Sequence, residues 1–322
     1  MEIWLCPMSN PDGYVHGWRG NADPYVDLNR DFPDQWVDPN NTTTGREIET
    51  ARFMTFAPQH HFVMGANYHG GAQVANYPFD GCPAANCNAN PVWPPDVNVF
   101  YQYSLGYAAR NPDLLAGGFT NGVTMGWEWY DIYGGMQDWA YHWYYEHHIT
   151  LEISDTKKPS FDTMGTFWDH NRDAKLWWFE RALMGARGLV TDSVTGAPLD
   201  ATITVAELDN TPVVTDPAVG DYHRLLLPGD YTLNATAECY IAQSAPVTVI
   251  SGTATIQNFA LVRETTPGCV QYHVYVPLQQ WGPYGRLAGS GANSVGAALA
   301  AAPGVTGAMG AGASPAPTVR RC

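Results

Sequence analysis

The sequence predicts an α/β domain followed by an antiparallel β-sandwich, and three changes of pattern support that order. Up to residue 187, short apolar runs typical of buried strands alternate with stretches of helical spacing. From 188 to 263, alternating strands are separated by turn sequences such as VTGAP, AVGD and LPGD, which is typical of a small sandwich. After residue 263 the sequence becomes rich in Ala, Gly, Pro and Ser, so we expect a disordered tail over 264–322.

Composition argues against two classes of partner. The chain has 322 residues and a formal net charge of −15, whereas nucleic-acid binding needs clustered Lys and Arg, so we expect no nucleic-acid partner. It contains no apolar run of about 18 residues, so we expect no membrane-spanning segment. The N-terminal residues lack a basic leader and an apolar core, so we expect no signal peptide there.

Cysteines and sequons favour an extracellular or secretory-pathway location. Cys82 and Cys87 flank a short loop and could form a disulfide, as could Cys239 and Cys269. Three asparagines begin glycosylation sequons, namely Asn40, Asn41 and Asn234. Both features belong to proteins made in an oxidising compartment.

The first predicted elements are a strand, a loop and a helix. The apolar run 3–5 predicts the end of a buried strand, and the turn sequence NPDG follows it. Residues 14–36 read as a long loop whose aromatic residues favour ordered packing. Thr44 and Glu47 match a capping box, which predicts a helix ending near Pro58. Its buried face would contain Ile48, Ala51 and Met54.

The stretch 61–80 predicts a buried strand, a tight Gly-Gly turn and a second extended run that ends at Asp80. His69 directly precedes the two glycines, which let backbone or ligand approach closely. Taken alone, such a histidine is more often a hydrogen-bonded loop residue than a functional group.

Two later elements complete the first domain. Residues 147–154 alternate cleanly, with Ile149 and Leu151 on one face and Glu152 on the other, which predicts a strand. A carboxylate in that position either fills the solvent side or works in a cleft. Residues 161–187 have the spacing of a long amphipathic helix that closes near Gly188.

The loop 14–36 carries Arg19, Asn29 and Arg30. Guanidinium groups held on an ordered loop suit the binding of a carboxylate, because they can donate two parallel hydrogen bonds to it. The alternative is that both arginines are surface residues paired with neighbouring aspartates of the same loop: Asp23, Asp27 or Asp31.

Seven motifs occur in an order that resembles the zinc metallocarboxypeptidases. They are NPDG, WRG, DLNRDFPD, ANYHGG, ANYPFD, NG…WY…GGMQDW and TLEISD. The chain is most similar to the regulatory branch, which includes carboxypeptidases D, M, N and E. The resemblance implies a mixed β-sheet with helices on both faces, incomplete at its N-terminus, over 1–187. It also implies a transthyretin-like domain over 188–263, on the sequences GLVTDSVTGAPL and GDYHRLLLPGDYTL.

The resemblance implies a role for each site residue. His69 matches a zinc ligand, Glu152 the general base, and Arg19 the group that polarises the scissile carbonyl. The residues implied to bind substrate are Asn29 and Arg30 for the C-terminal carboxylate, Tyr130 as a mobile cover, and Asp80 with Gln137 for a C-terminal Lys or Arg. The implied partners are therefore peptide or protein C-termini, which are expected to be basic.

The implied zinc site is incomplete in this sequence. The family supplies two further ligands from a His-x-x-Glu motif, and no such motif occurs in the chain. A catalytic zinc needs three protein ligands, so His69 alone does not suffice. Two hypotheses follow: a zinc carboxypeptidase that is N-terminally truncated as given, or a non-catalytic relative that binds peptide C-termini.

Overall fold

The computed structural model describes residues 1–21, 25–84, 86–208, 212–266, 269 and 318–321. The α-helices of this part are α1 (Pro11–His16), α2 (Ile48–Phe56), α3 (Val97–Ala108), α4 (Pro112–Ala116), α5 (Gly126–Trp129), α6 (Met136–Tyr144) and α7 (Met164–Arg181). The first strands are β1 (Glu2–Leu5), β2 (Met64–His69), β3 (Ala72–Tyr77), β4 (Val123–Met125) and β5 (His147–Ser154).

The remaining described strands follow α7. They are β6 (Ala186–Asp192), β7 (Ala201–Val205), β8 (Val213–Val214), β9 (Asp221–Arg224), β10 (Gly229–Ala237), β11 (Tyr240–Ile241), β12 (Gln243–Val249), β13 (Thr255–Ile256), β14 (Phe259–Arg263) and β15 (Thr318–Arg321).

The sheet of the first half is mixed, as predicted. Its strand order is β2-β5-β3-β4. β2 pairs with β5 in parallel, β3 pairs with β5 antiparallel, and β3 pairs with β4 in parallel. One face of β5, with Ile149 and Leu151, packs in a core with α3 and α7. A second cluster joins Phe32 to residues of α2 and α6. This arrangement leaves the polar face of β5, with Glu152, for other contacts.

Two further sheets share a second hydrophobic core. One has the order β12-β10-β7-β8 and is antiparallel throughout. In the other, β6 pairs in parallel with both β13 and β14 and antiparallel with β9. The expectation of a purely antiparallel arrangement is therefore wrong for this sheet. Alternation along a strand indicates which side chains are buried but not the direction of the neighbouring strand.

A buried ion pair lies where the two halves meet. Arg224, at the end of β9, is 1% exposed and binds the carboxylate of Asp96, which precedes α3, at 2.5 Å. Tyr141 of α6 donates to the other oxygen of Asp96 at 3.0 Å. The next residues divide between the halves, because Leu225 packs in the first core and Leu226 in the second.

The structure of α1 and α2 differs from three expectations that were based on the sequence. The NPDG sequence begins α1 rather than a turn, and Asn10 caps this helix by accepting from the amide of Gly13 at 2.9 Å. The predicted capping box is wrong, because α2 begins after Glu47 and has no side-chain cap. Glu47 instead accepts from Asn21 and donates its amide to Asp31. Ile48, expected to be buried, is 66% exposed.

The two ends of the predicted α/β domain are also corrected. β1 is not a buried strand, since its residues are exposed or half-buried. The long helix is shorter than expected: α7 ends at Arg181, and Met164 and Trp168 on it are exposed.

The expected disordered tail is contradicted in part. Residues 318–321 form β15, which pairs in parallel with β1, and Cys269 is bonded to Cys239. Most of 264–322 lies outside the described residues.

Both expected disulfides are present, Cys82–Cys87 and Cys239–Cys269. Among the described residues, no helix is long and apolar enough to cross a membrane.

Candidate functional site

Two neighbouring strands bring the predicted histidine and carboxylate together. β2 and β5 pair in parallel with His69 directly opposite Glu152. Residues that face each other across paired strands project from the same side of the sheet. As a result, Nδ1 of His69 lies 3.9 Å from Oε1 of Glu152.

Both nitrogens of the His69 ring have a partner. Nδ1 lies 3.1 Å from Nη1 of Arg19. Nε2 lies 2.9 Å from the side-chain amide of Asn67, which is two residues earlier on β2. Asn67 is held in turn by the hydroxyl of Thr150 on β5, at 2.9 Å. The ring orientation is therefore fixed from two sides.

Burial shifts the pKa values of both groups. Burial, together with the positive charge of Arg19, lowers the pKa of His69 to about 4. Burial raises the pKa of Glu152 to about 7, against the opposing effect of Arg19 and Lys157. The Oε2 atom of Glu152 has no hydrogen-bond partner among the described residues. The pair can thus present a neutral imidazole and a carboxyl group that exchanges a proton near neutral pH.

A single carboxylate organises the two arginines. Oδ2 of Asp27 accepts from Nε of Arg19 at 3.0 Å and lies 4.0 Å from Nη1 of Arg30. Oδ1 of Asp27 caps the short 3-10 turn 28–30 by accepting from the amide of Asn29 at 3.0 Å. The alternative of aspartate pairing within the loop is therefore correct for Asp27, and this pairing does not bury the arginines. The side chain of Arg19 stays 44% exposed and that of Arg30 32% exposed.

Asn29 connects this turn to α6. Its Oδ1 accepts from the amide of Met136 at 2.9 Å, so its side-chain nitrogen faces away from that amide. Arg30 donates to the carbonyl oxygen of Asn29 at 2.7 Å. The turn is thereby fixed against the first turn of α6.

These side chains surround a cavity of about 200 Å³. Arg19, Asn29 and His69 line it together with Asn67 and Asp27. Residues of α2 also line it, and polar atoms of Glu49 and Thr50 there are buried without a partner among the described residues. Glu152 and Arg30 adjoin the cavity through His69 and Asp27 respectively.

Asp80 lies in a separate buried polar cluster next to this cavity. It is 1% exposed, and its Oδ1 accepts from Asn76 at 2.9 Å and from Gln137 at 2.8 Å. Its amide donates to both carboxylate oxygens of Asp138. A Cβ added at Gly135 would lie 2.9 Å from Oδ2 of Asp80 and 4.0 Å from Oδ1 of Asn29. Gly135 therefore lies between this cluster and the 3-10 turn 28–30.

The cluster has more acceptor oxygens than donors. Oδ2 of Asp80, Oε1 of Gln137 and Oδ1 of Asn76 are buried without a partner among the described residues. Burial raises the pKa of Asp80 to about 7, against the hydrogen bond from Asn76 and the charge of Arg30. Burial and the neighbouring Asp80 also raise the pKa of Asp138. Unmatched acceptors of this kind favour a cationic donor.

Tyr130 is a further predicted site residue that lies outside the cavity lining. It is 48% exposed, follows α5, and contacts the ring of Trp129.

The residues of this site do not fit a zinc ion. No group of three or more His, Cys, Asp or Glu side chains that could hold a metal occurs in the part of the chain that the structure describes. Both ring nitrogens of His69 face nitrogen groups, Nη1 of Arg19 and Nδ2 of Asn67. A catalytic zinc needs three protein donors with lone pairs directed at one point.

Sequence reasoning missed two supporting residues. Asn67 sits two positions before His69, so it lies on the same face of β2, and that spacing could have identified it. Asp138 supports Asp80 from 58 residues away; its only sequence signal is that it follows Gln137.

Comparisons with known proteins agree with this geometry. The profile of the zinc carboxypeptidase family matches residues 1–174. The chain is 37% identical to carboxypeptidase D of Homo sapiens over 284 residues, which covers 82% of this chain and 20% of that protein. It is 36% identical to carboxypeptidase M of Mus musculus, covering 73% of this chain and 56% of that protein.

A third relative is the carboxypeptidase N catalytic chain of Homo sapiens, 33% identical over 81% of this chain and 65% of that protein. The chain thus spans only part of the length of each of these three relatives. With the family profile matched over more than half of its residues, the chain belongs to the zinc carboxypeptidase family.

Proposed function

We propose that the cavity binds the C-terminal residue of a peptide or protein. The observation that carries this proposal is a pair of arginines beside one carboxylate: Arg19, which lines the cavity, lies 3.0 Å from Asp27, and Arg30, outside the cavity lining, lies 4.0 Å from it. Two exposed guanidinium groups that share one carboxylate retain net positive charge. A free peptide carboxylate is the anion that such a fork-shaped donor set matches.

The other site residues have compatible roles. Arg30 and Asn29 would bind the terminal carboxylate, and Arg19 would face the preceding carbonyl oxygen. Glu152, whose pKa of about 7 results mainly from burial, would accept a proton near neutral pH. Tyr130 is exposed on a segment next to α6 and would have to move to cover the ligand.

We further propose a preference for C-terminal Lys or Arg. Three oxygens around Asp80 and Gln137 have no partner in the described part of the chain, and they are suited to a side chain that carries several N–H donors and a positive charge. Gly135 lies between this cluster and Asn29, so the side chain and the carboxylate of one residue can reach both. The net charge of −15 also attracts basic peptides.

Two candidate outcomes follow binding. Membership of the zinc carboxypeptidase family favours hydrolysis, with removal of the bound residue in a zinc-dependent reaction. Two features favour the second candidate, a carboxypeptidase-like module that binds C-termini without cleaving them. His69 contacts Arg19, and the described residues contain no group of side chains that could hold a metal. The same residues recognise the peptide in both cases.

The proposal also includes the division of the chain into domains and the location of the protein. Residues 1–187 would form the carboxypeptidase-type domain, 188–263 a transthyretin-like domain, and 264–322 a tail. The shared core of the two later sheets supports the second assignment. The two disulfides support an extracellular or secretory-pathway location.

The proposal is tested with peptides that differ only at the C-terminus. We expect the chain to bind a peptide ending in free Lys at least about ten-fold more tightly than its C-terminal amide, because the amide cannot accept two guanidinium donors. We expect Asp80→Ala to weaken binding, or slow release, of C-terminal Lys and Arg more than of Leu. Calorimetry measures binding and mass spectrometry measures release.

A surface variant provides the control. Asp169→Ala removes a carboxylate of the same charge from the exposed side of α7, so it should change none of these values. Equal loss for Lys, Arg and Leu in Asp80→Ala would contradict the assignment of the basic pocket. Equal affinity for acid and amide would contradict recognition of the C-terminus itself.

A further inference from the structure

The contacts of His69 leave no lone pair on its ring for another ligand. A guanidinium group only donates hydrogen bonds, so Nδ1, at 3.1 Å from Arg19, must act as the acceptor. A neutral imidazole has one such acceptor nitrogen. The hydrogen of the ring is then on Nε2.

Asn67 and Thr150 complete a consistent set of donors and acceptors. The structure places the side-chain nitrogen of Asn67 2.9 Å from Nε2, so a hydrogen on Nε2 requires the amide group to be turned with its oxygen toward the ring. The hydroxyl of Thr150, which donates to Oδ1 of Asn67 at 2.9 Å in the structure, would then accept from the NH₂ group instead. Every close contact of the ring pairs one donor with one acceptor in this arrangement.

The lone pair of Nδ1 is thus directed at a permanent cation. Arg19 is anchored on its other side by Asp27 at 3.0 Å, so its head group is held between a carboxylate and an imidazole. A metal ion at Nδ1 would have to displace this guanidinium and would then face its positive charge at short range. Glu152, at 3.9 Å, is the nearest acidic group to Nδ1 that the structure describes.

We propose that in this chain His69 is a hydrogen-bond acceptor that positions Arg19, and that the cavity binds a peptide carboxylate without a metal ion. This inference rests on the proposed recognition of peptide C-termini and adds to it the role of His69 and the independence from zinc. Asn67 and Thr150 serve as positioning residues for the ring.

The test uses the full chain, freed of metal with EDTA, and a peptide with a free C-terminal Lys. Calorimetry is run without metal and with one equivalent of zinc chloride, and zinc content is measured after dialysis. We expect the same affinity in both conditions and no stoichiometric zinc. Arg19→Met should weaken binding about ten-fold, the usual cost of losing a hydrogen bond to a charged group.

Two substitutions of His69 separate an acceptor from a metal ligand. His69→Asn places a carbonyl oxygen near the position of Nδ1, so it should keep the contact with Arg19 and most of the affinity. His69→Leu keeps a similar volume without an acceptor, so it should weaken binding by an amount close to that of Arg19→Met. Thermal melting curves of both variants show that the comparison is made between folded chains.

Each alternative outcome is distinct. Stoichiometric zinc that is lost in His69→Asn and is required for binding would overturn the inference and leave recognition of the C-terminus intact. Equal binding by His69→Leu and the wild type would also overturn it, because His69 would then have no part in holding Arg19. Failure to bind the peptide acid with and without zinc would reject the proposed function and the inference together.

Discussion

Two buried aspartates, one in each half of the molecule, have opposite environments. Asp192 in the later sheets is 6% exposed, and Asp80 beside the cavity is 1% exposed. The amides of Thr195 and Val194 and the hydroxyl of Tyr240 all donate to Asp192, and these hydrogen bonds hold its pKa well below the usual range. One oxygen of Asp80 has no partner within the residues that the structure describes, and burial raises the pKa of Asp80 to about 7.

The same contrast extends to the two halves. Buried side-chain atoms without a partner are concentrated before residue 182 in the described chain; beyond it the one recorded is Nε of Arg224, at the junction. A carboxylate whose donors are all supplied by its own fold stabilises that fold. A carboxylate that lacks donors is costly to the fold and available to a ligand. This contrast is consistent with the proposal that the first half recognises a ligand and the second half supports it.

The largest expected effect is at the junction between the halves. Arg224→Met removes the guanidinium from Asp96, which is 4% exposed. Breaking one partner of a buried ion pair typically costs about 3–5 kcal/mol of the free energy of unfolding. Urea denaturation measures this loss, and we expect both halves to be affected because Leu225 and Leu226 pack in different cores.

A double variant serves as the control. Arg224→Met combined with Asp96→Asn removes both charges, so it should recover a large part of the lost stability. If the single variant loses less than about 1 kcal/mol of the free energy of unfolding, the ion pair contributes no more than an exposed pair does and does not hold the halves together. The stabilities of the two halves would then not depend on this contact.

The aspartate pair itself gives the second prediction. Ionising Asp80 is harder in the folded chain than in the unfolded one, because its pKa rises from 3.8 to about 7. Its contribution to the free energy of unfolding therefore falls as pH rises between those values. Relative to Asp80→Asn, the wild type should lose about 2 kcal/mol between pH 5 and pH 8.

Asp192 should behave in the opposite way. Its pKa is lower in the folded chain, so its stabilising effect is present above the ordinary pKa of an aspartate and is lost as pH falls below it. Asp192→Asn should therefore destabilise the chain at neutral pH, whereas Asp80→Asn should not. Denaturation curves of the two variants at pH 7 that shift in the same direction would contradict the comparison.

Sequence alone predicted where two candidate site residues lie on their strands, because the patterns involved are short and local. The alternation of 147–154 placed Glu152 on the polar face of a strand, and the Gly-Gly turn placed His69 at a strand end. What sequence could not provide was the register of β2 and β5, which puts the two side chains opposite each other. Register depends on pairing between segments about 80 residues apart, and no local pattern records it.

Other parts of the fold were predicted less well for the same physical reason. The capping box failed because Glu47 is used by Asn21 and Asp31 from another loop. The parallel pairs of β6 were missed because a strand's own alternation is the same for either direction of its neighbour. In each case a distant partner decided between local structures that the sequence permits.

The smallest expected effect is the pH dependence of basic-peptide selectivity. In the proposed basic pocket, an ionised Asp80 would attract a C-terminal Lys or Arg, and a protonated one would not. With a pKa of about 7, the ionised fraction rises between pH 6 and pH 8. The ratio of affinities for Lys-ending and Leu-ending peptides should therefore rise by up to about ten-fold over that range.

Asp80→Asn separates this effect from the titration of other groups. Asp138, Asp34 and Arg30 also act on the pocket electrostatically, and they remain in this variant. If Asp80 is the group responsible, the affinity ratio in Asp80→Asn should be low and independent of pH, while Asp192→Asn should retain the wild-type profile. A profile that persists in Asp80→Asn would transfer the titration to Asp138, and the contrast between Asp80 and Asp192 would then concern stability alone.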